Sequence, residues 1–392
     1  MRPSARNYLD LAALFMRRRR ETSAPVFMLY ARDAIEAALR LEPQPPRGRL
    51  MRAMVHQFDH EFDAARTLAE ELLQEDEENA DAHLVRGDAA LEQGDYGAAA
   101  EAYQAAVDLR PDLRSYNRAA HLRWISGDAD AALDILELAM DSGSASDPQA
   151  TAWCLADAAD IYRATGRLSD SLSRSAAALE LAPHYLPALM TRARTLGAQK
   201  RLGAAVSAYQ EALRILPTVD GLVEGAEVAL EAGRLTRGRR WLEQARALAR
   251  DDPRPLAHFL ARRGWEADVP MALSLSKRAL GERMDIASWD TRGLALIRAG
   301  RWDEAEAALN HAQAQGSTRP ELQLHRALLD ASRGDHRAAE RHLKAALRVN
   351  PHVDRRLVQE LELHFGVDAV AVEGRAQGEG RAPGSPPVRR SP

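Results

Sequence analysis

The stretch "GDYGAAAEAYQAAVDLRP", residues 94–111, reads as one alanine-rich helix with its start and its stop attached. Gly94 can take the left-handed conformation that ends a preceding helix, and Pro111 cannot continue the one that follows. The same plan returns as "GRWDEAEAALNHAQAQG" at 300–316 and as "GDHRAAERHLKAALRVNP" at 334–351, with small residues and turn signals at matching offsets. A plain helix recurring in this way is the mark of stacked units and not of one large core.

Composition agrees. Of 392 residues, 46% are apolar but only 5% aromatic, so Ala and Leu, the residues of closely packed helices, carry most of the apolar content. The expected fold class is all-α. The net charge of −4 gives no global excess that would draw the chain onto nucleic acid or an anionic membrane, so any such binding would need a local patch. Only Lys200, Lys277 and Lys344 are lysines, and the remaining basic residues are arginines. The single cysteine, Cys154, excludes an intramolecular disulfide framework and a multi-cysteine metal site, and it fits a reducing compartment. In "YLDLAALFMRRRR" the apolar segment precedes its basic run, the reverse of a secretory signal, and no run approaches the roughly 20 apolar residues of a membrane span. A cytoplasmic protein is expected.

Counting from Ala80 places Gly87 eighth, Gly94 fifteenth, Ala99 twentieth, Tyr103 twenty-fourth, Ala106 twenty-seventh and Pro111 thirty-second. The chain thereby resembles the tetratricopeptide repeat family, whose unit is about 34 residues long. Units starting near 46, 113, 152, 186, 219, 286 and 320 put Ala53, Ala120, Ala159, Ala193, Ala226, Gly293 and Ala327 at the eighth position. At the twentieth they put Ala65, Ala132, Ser171, Ala205, Gly238, Ala305 and Ala339. Two antiparallel helices approach closely only where side chains are small, and one pair cannot bury its apolar face alone. The resemblance implies a right-handed superhelical solenoid, with about nine helix pairs between 46 and 353.

The organisation follows. Residues 1–45 are expected to form an N-terminal helical cap, 46–353 the repeats, 354–371 a C-terminal capping helix and 372–392 a Gly/Pro/Arg tail too poor in apolar residues to fold. "MDSGSASDPQA", 140–150, reads as an exposed loop. Around 254–285 the unit is degenerate, disturbed by Pro253, Pro255 and Pro270, and reads as a hinge or a change of pitch.

Catalytic signals are scarce. His56 and His60 stand four apart in "HQFDH", but the repeat register puts His60 in the turn, away from a shared metal face. Cys154 has no paired histidine, and no phosphate loop, nucleophile elbow or zinc-protease motif occurs. A non-enzyme with no cofactor and no metal is expected. By the resemblance, positions two, five, six, nine and twelve of each first helix face a concave groove. In the unit at 113 these are Arg114, Asn117, Arg118, His121 and Trp124, and in the next units they include Trp153, Asp157, Asp160, Arg163, Thr191 and Arg194. Tryptophan and arginine are frequent binding anchors, and they equally well complete an inter-repeat core or pair with neighbouring aspartates. In the family's chaperone-tail clamp Arg114 and Arg118 would match one part, while Leu50, Met54 and Val85 depart from the rest. Two functions remain open: a scaffold holding a peptide or helix of another protein in the groove, and an RNA-binding protein using the groove's arginines and tryptophans. Nucleic acid is the less expected partner on overall charge. Oligomeric state is not legible.

Overall fold

The computed structural model describes residues 4–143 and 147–365. The expected tail at 372–392 and the end of the expected capping segment lie outside them. The described residues form successive antiparallel helix pairs: α1 Ala5–Thr22 with α2 Val26–Leu41, α3 Pro46–Phe58 with α4 Phe62–Glu75, and α5 Ala80–Glu92 with α6 Tyr96–Leu109. They continue as α7 Leu113–Ile125 with α8 Ala129–Asp141, α9 Pro148–Ala164 with α10 Leu168–Leu181, and α11 Leu186–Ala198 with α12 Leu202–Ile215. Then come α13 Val219–Glu231 with α14 Leu235–Leu248, α15 Arg254–Arg263 with α16 Val269–Glu282, α17 Ile286–Arg298 with α18 Trp302–Gln313, α19 Pro320–Ser332 with α20 His336–Val349, and finally α21 Arg355–Phe365. The molecule is an all-α right-handed superhelical solenoid.

The small residues sit where two helices touch. Ala53, Ala120, Ala159, Ala193, Ala226 and Ala327 at the eighth position are fully buried, as are Ala65, Ala99, Ala132, Ala205, Ala305 and Ala339 at the twentieth. Where glycine stands instead, the space is already taken. A Cβ on Gly87 would lie 2.5 Å from the Tyr103 ring, and one on Gly293 2.7 Å from Leu309. Ser171 fits because its hydroxyl is bonded to Thr195 at 2.8 Å, so the buried polar atom is satisfied.

The turns obey one rule with two substitutions. Gly94, Gly127, Gly166, Gly233, Gly264, Gly300 and Gly334 take positive φ, and His60 and Lys200 hold the same left-handed turn at φ 62° and 60°. Pro111, Pro183, Pro217 and Pro351 each fall two residues past the end of a second helix. Two local readings change. Residues 148–150, expected in an exposed loop, form the first turn of α9, since Pro148 at N1 and the Asp147 cap favour starting the helix there. The degenerate unit at 254–285 remains a helix pair, because Pro255 and Pro270 fall in first turns where no intrahelical N–H bond is lost. Its first helix is only ten residues long, and a short 3-10 turn at 266–268 completes the connection.

The superhelix winds until its second turn rests on its first. The Met284 N–H donates to the Glu92 carbonyl (3.1 Å), and the Ile286 N–H donates to the Tyr96 hydroxyl (2.8 Å). Further along, the Thr318 hydroxyl donates to the Gly127 carbonyl (3.2 Å) and the Asn350 amide to the Arg163 carbonyl (3.3 Å). Glu92, Gly127 and Arg163 lie at or just beyond the ends of first helices, where carbonyls lack an intrahelical donor, so the next turn supplies it. Tyr96, Leu113 and Trp124 share one apolar cluster with Ile286, Ala312 and Leu322, so the seam also has a hydrophobic component.

Candidate functional site

Winding converts the concave face into a lumen. Arg118, His121, Asp160, Arg163 and Arg194 lie deep inside the coil, yet the side chains of Arg118, Asp160, Arg163 and Arg194 keep 23%, 38%, 23% and 26% of their accessible area, as befits the wall of a channel.

The wall is built of ion pairs set before any ligand arrives. Arg118 forks onto Asp88 at 2.6 and 2.7 Å, and Asp88 also accepts from the Tyr103 hydroxyl at 2.9 Å. The same guanidinium lies 5.5 Å from the ring centre of Trp153, which is partly buried. Arg114 bridges Asp81 (2.9 Å) and Asp112 (3.6 Å). Arg163 holds Asp160 at 2.9 Å, while Arg194 reaches Glu224 at 2.8 Å and Asp220 at 3.4 Å. Burial alone would lift the Asp160 carboxyl, but Arg163 and Arg194 outweigh it and hold it below the usual range. Asp157 has no guanidinium on it among the described residues, and burial pushes it up to about 7 against the opposing amide of Asn117. Burial, then the charge of Arg319, keeps His121 below its ordinary value. Arg319 reaches this chamber from the second turn, and its Nε is buried without a hydrogen-bond partner among the described residues.

Deeper along the lumen His325 Nδ1 meets Asp290 at 2.6 Å, and the His258 ring lies 5.7 Å from that of His325. Burial pulls His325 down, but Asp290 outweighs it and raises it; burial and the adjacent His325 lower His258.

Seven of the nine residues singled out in the sequence line this wall with accessible area: Arg114, Arg118, His121, Trp153, Asp157, Asp160 and Arg194. Two do not. Asn117 is buried, its amide donating to Asp157 at 2.8 Å, and Trp124 is buried in the apolar cluster of α7 and α8. Neither presents a face to a partner, because helix packing has used both. Asp88, at the ninth position of its unit, and Glu224 and Asp220, at the sixth and second of theirs, follow the same positional rule and complete the wall. Arg319 does not follow it, since only the second turn brings it there.

The remaining candidates are structural. His60 Nε2 meets Arg283 at 2.6 Å across the seam and His56 meets Glu61, so the two histidines serve different neighbours. Cys154 is fully buried and its thiol is pushed up to about 12 by that burial, the opposite of a nucleophile's environment. Among the described residues no group of three or more His, Cys, Asp or Glu is placed to hold a metal ion, and no helix is long and apolar enough to cross a membrane.

Paired helices, small residues at their crossings and a continuous superhelix give this chain the fold of a tetratricopeptide-repeat solenoid. The tetratricopeptide repeat family model matches residues 50–114. Among solved structures, the human IFIT1 dimer with PPP-AAAA is similar at 14% identity, covering 79% of this chain and 82% of that one, with a TM-score of 0.53. An IFIT1 monomeric mutant with Gppp-AAAA is similar at 14% identity over 87% of this chain and 80% of that one, with a TM-score of 0.54. A thermophilic TPR protein in Thermus thermophilus is 20% identical over 49% of this chain and 99% of its own, with a TM-score of 0.42. No curated protein matches the chain.

Proposed function

We propose that this protein is a non-catalytic, cytoplasmic scaffold whose lumen holds an extended or helical segment of another protein. The observation that supports this most is the pre-paired wall: Arg118, Trp153, Asp160 and Arg194 are accessible while ion pairs and packing already fix their positions. A ligand meeting such a wall loses less side-chain entropy on binding than one that must order it. In this reading the pairs between 46 and 349 form the binding array, and α1, α2 and α21 cap it. A pull-down with the intact chain, compared with Trp153→Ala and Asp160→Asn, tests the assignment. The partner is expected to be lost from both variants while their melting temperatures show them folded. Retention by both would remove the lumen from consideration.

The alternative, RNA in the lumen, gains from the oligonucleotides carried by the IFIT1 structures, which share the fold. It loses because Arg114, Arg118, Arg163 and Arg194 already pair with carboxylates, so a phosphate would have to displace them. Filter binding of generic RNA at two salt concentrations, abolished by Arg319→Gln, would reverse this choice.

A further inference from the structure

Among the described residues many guanidiniums of the surface pair, as Arg174 does with Glu137, Arg192 with Glu211 and Arg333 with Asp303 and Glu306, while others, Arg123, Arg201 and Arg341 among them, do not. On α14 none is within ion-pair distance of a carboxylate among the described residues. This helix, LTRGRRWLEQARAL, carries four arginines against the single acid Glu243, with Arg234 and Arg250 at its ends. Arg239, Arg246 and Arg250 are exposed, share one stripe of the helix and its extension with the exposed Glu243, and are within ion-pair distance of no carboxylate among the described residues. The stripe spans about 16 Å.

A second cluster continues from it. Gly264 ends α15 in the left-handed conformation and turns the chain outward, leaving Trp265 56% exposed. The Arg263 guanidinium is stacked on that indole at 3.2 Å from the ring centre. Arg356, from the first turn of α21, donates to the Arg263 carbonyl at 2.9 Å, which fixes its guanidinium beside the stack. Burial lowers the pKa of Arg263; the Asp268 carboxylate opposes this, and the more weakly felt charges of Arg356 and Arg246 add to it. Neither Arg263 nor Arg356 is within ion-pair distance of a carboxylate among the described residues.

We propose that this outer face, formed by Arg239, Arg246, Arg250, Arg263, Arg356 and Trp265, binds single-stranded nucleic acid. The arginine stripe follows the phosphates, and Trp265, backed on one side by Arg263, offers its ring to an unpaired base. An acidic peptide would satisfy the arginines but brings no planar base for the indole. A duplex would satisfy them as well, but its bases are stacked out of reach. The site lies outside the lumen, so the protein-holding role proposed above stands or falls separately.

Fluorescence anisotropy of labelled single strands of about 20 nucleotides, RNA and DNA in parallel, tests this on the full chain. With about four phosphate contacts, affinity is expected to fall about 50-fold between about 50 and about 200 mM salt. Arg239→Gln with Arg246→Gln should reduce the logarithmic salt slope by about 1.4. Trp265→Ala should weaken binding about 5- to 150-fold with an unchanged melting temperature, since the side chain is exposed. Arg319→Gln, in the lumen, should change nothing. Either sugar bound in this pattern supports the site, and a preference between them identifies its source. No binding at the lowest salt would overturn the proposal. So would loss in Arg319→Gln with full binding by Trp265→Ala, or displacement of the oligonucleotide by an equal concentration of a poly-glutamate peptide of the same length.

Discussion

At Gly87 the fold depends on the absence of a single carbon. Its Cβ would stand 2.5 Å from the Tyr103 ring, whose hydroxyl also positions Asp88 for Arg118. Gly87→Ala gains helix propensity of about 1 kcal/mol, but overpacking costs more, and we expect a net loss of about 1–2 kcal/mol in chemical denaturation. A variant as stable as the parent would show that the ring can move aside. Asp157 sets a second, pH-dependent term. Burial raises its folded pKa to about 7, above that of the unfolded chain. Between about pH 4 and 7 the folded state therefore keeps a proton that the unfolded state has lost, and stability falls as pH rises. Asp157→Asn keeps the acceptor for Asn117 without the charge. It should be more stable than the parent at pH 8, by on the order of 2–4 kcal/mol, with little difference at pH 4. Melting curves at the two pH values check this, and equal gains at both would exclude the titration of Asp157 as the cause.

At the scale of elements, a helix pair is specified by where it is small. Ala305 on α18 is fully buried against α17, where Gly293 would carry a Cβ only 2.7 Å from Leu309. Ala305→Leu forces the pair apart and should cost about 1–3 kcal/mol, read as a lower unfolding midpoint in denaturant. An unchanged midpoint would mean that α17 and α18 are not in the register described. The prolines of the 254–285 unit show the same logic in reverse. They are tolerated because each lies in a first turn or just before it, so the pair forms although its sequence departs from the repeat.

The whole molecule is closed by a seam of few contacts. Ile286, Thr318 and Asn350 each make one hydrogen bond to the preceding turn, to Tyr96, Gly127 and Arg163 respectively. Tyr96→Phe removes the acceptor of the Ile286 N–H and leaves a buried donor unpaired, a loss of about 1–3 kcal/mol. Combined with Thr318→Val and Asn350→Ala, it should let the superhelix loosen. Small-angle scattering is expected to give a larger radius of gyration, with the helical circular dichroism unchanged. An unchanged radius would assign closure to the contacts that remain, the apolar part of the seam and the Glu92, Met284, His60 and Arg283 contacts.

The sequence by itself determined the pairs. Helix periodicity, turn residues and small crossing positions act over about 34 residues, and each is written locally, so α3 to α14 and α17 to α20 could be placed by counting from Gly87. The same counting found most of the lumen wall, because position within a first helix decides which face a side chain takes. It also expected Trp124 and Asn117 in the open, since a positional rule shows direction and not what is packed in front of it. Only the tertiary structure decided the rest. Whether the second turn meets the first depends on small rotations accumulated over several units, and no single unit records their sum. That sum brings Arg319 to His121 and turns an open groove into a lumen.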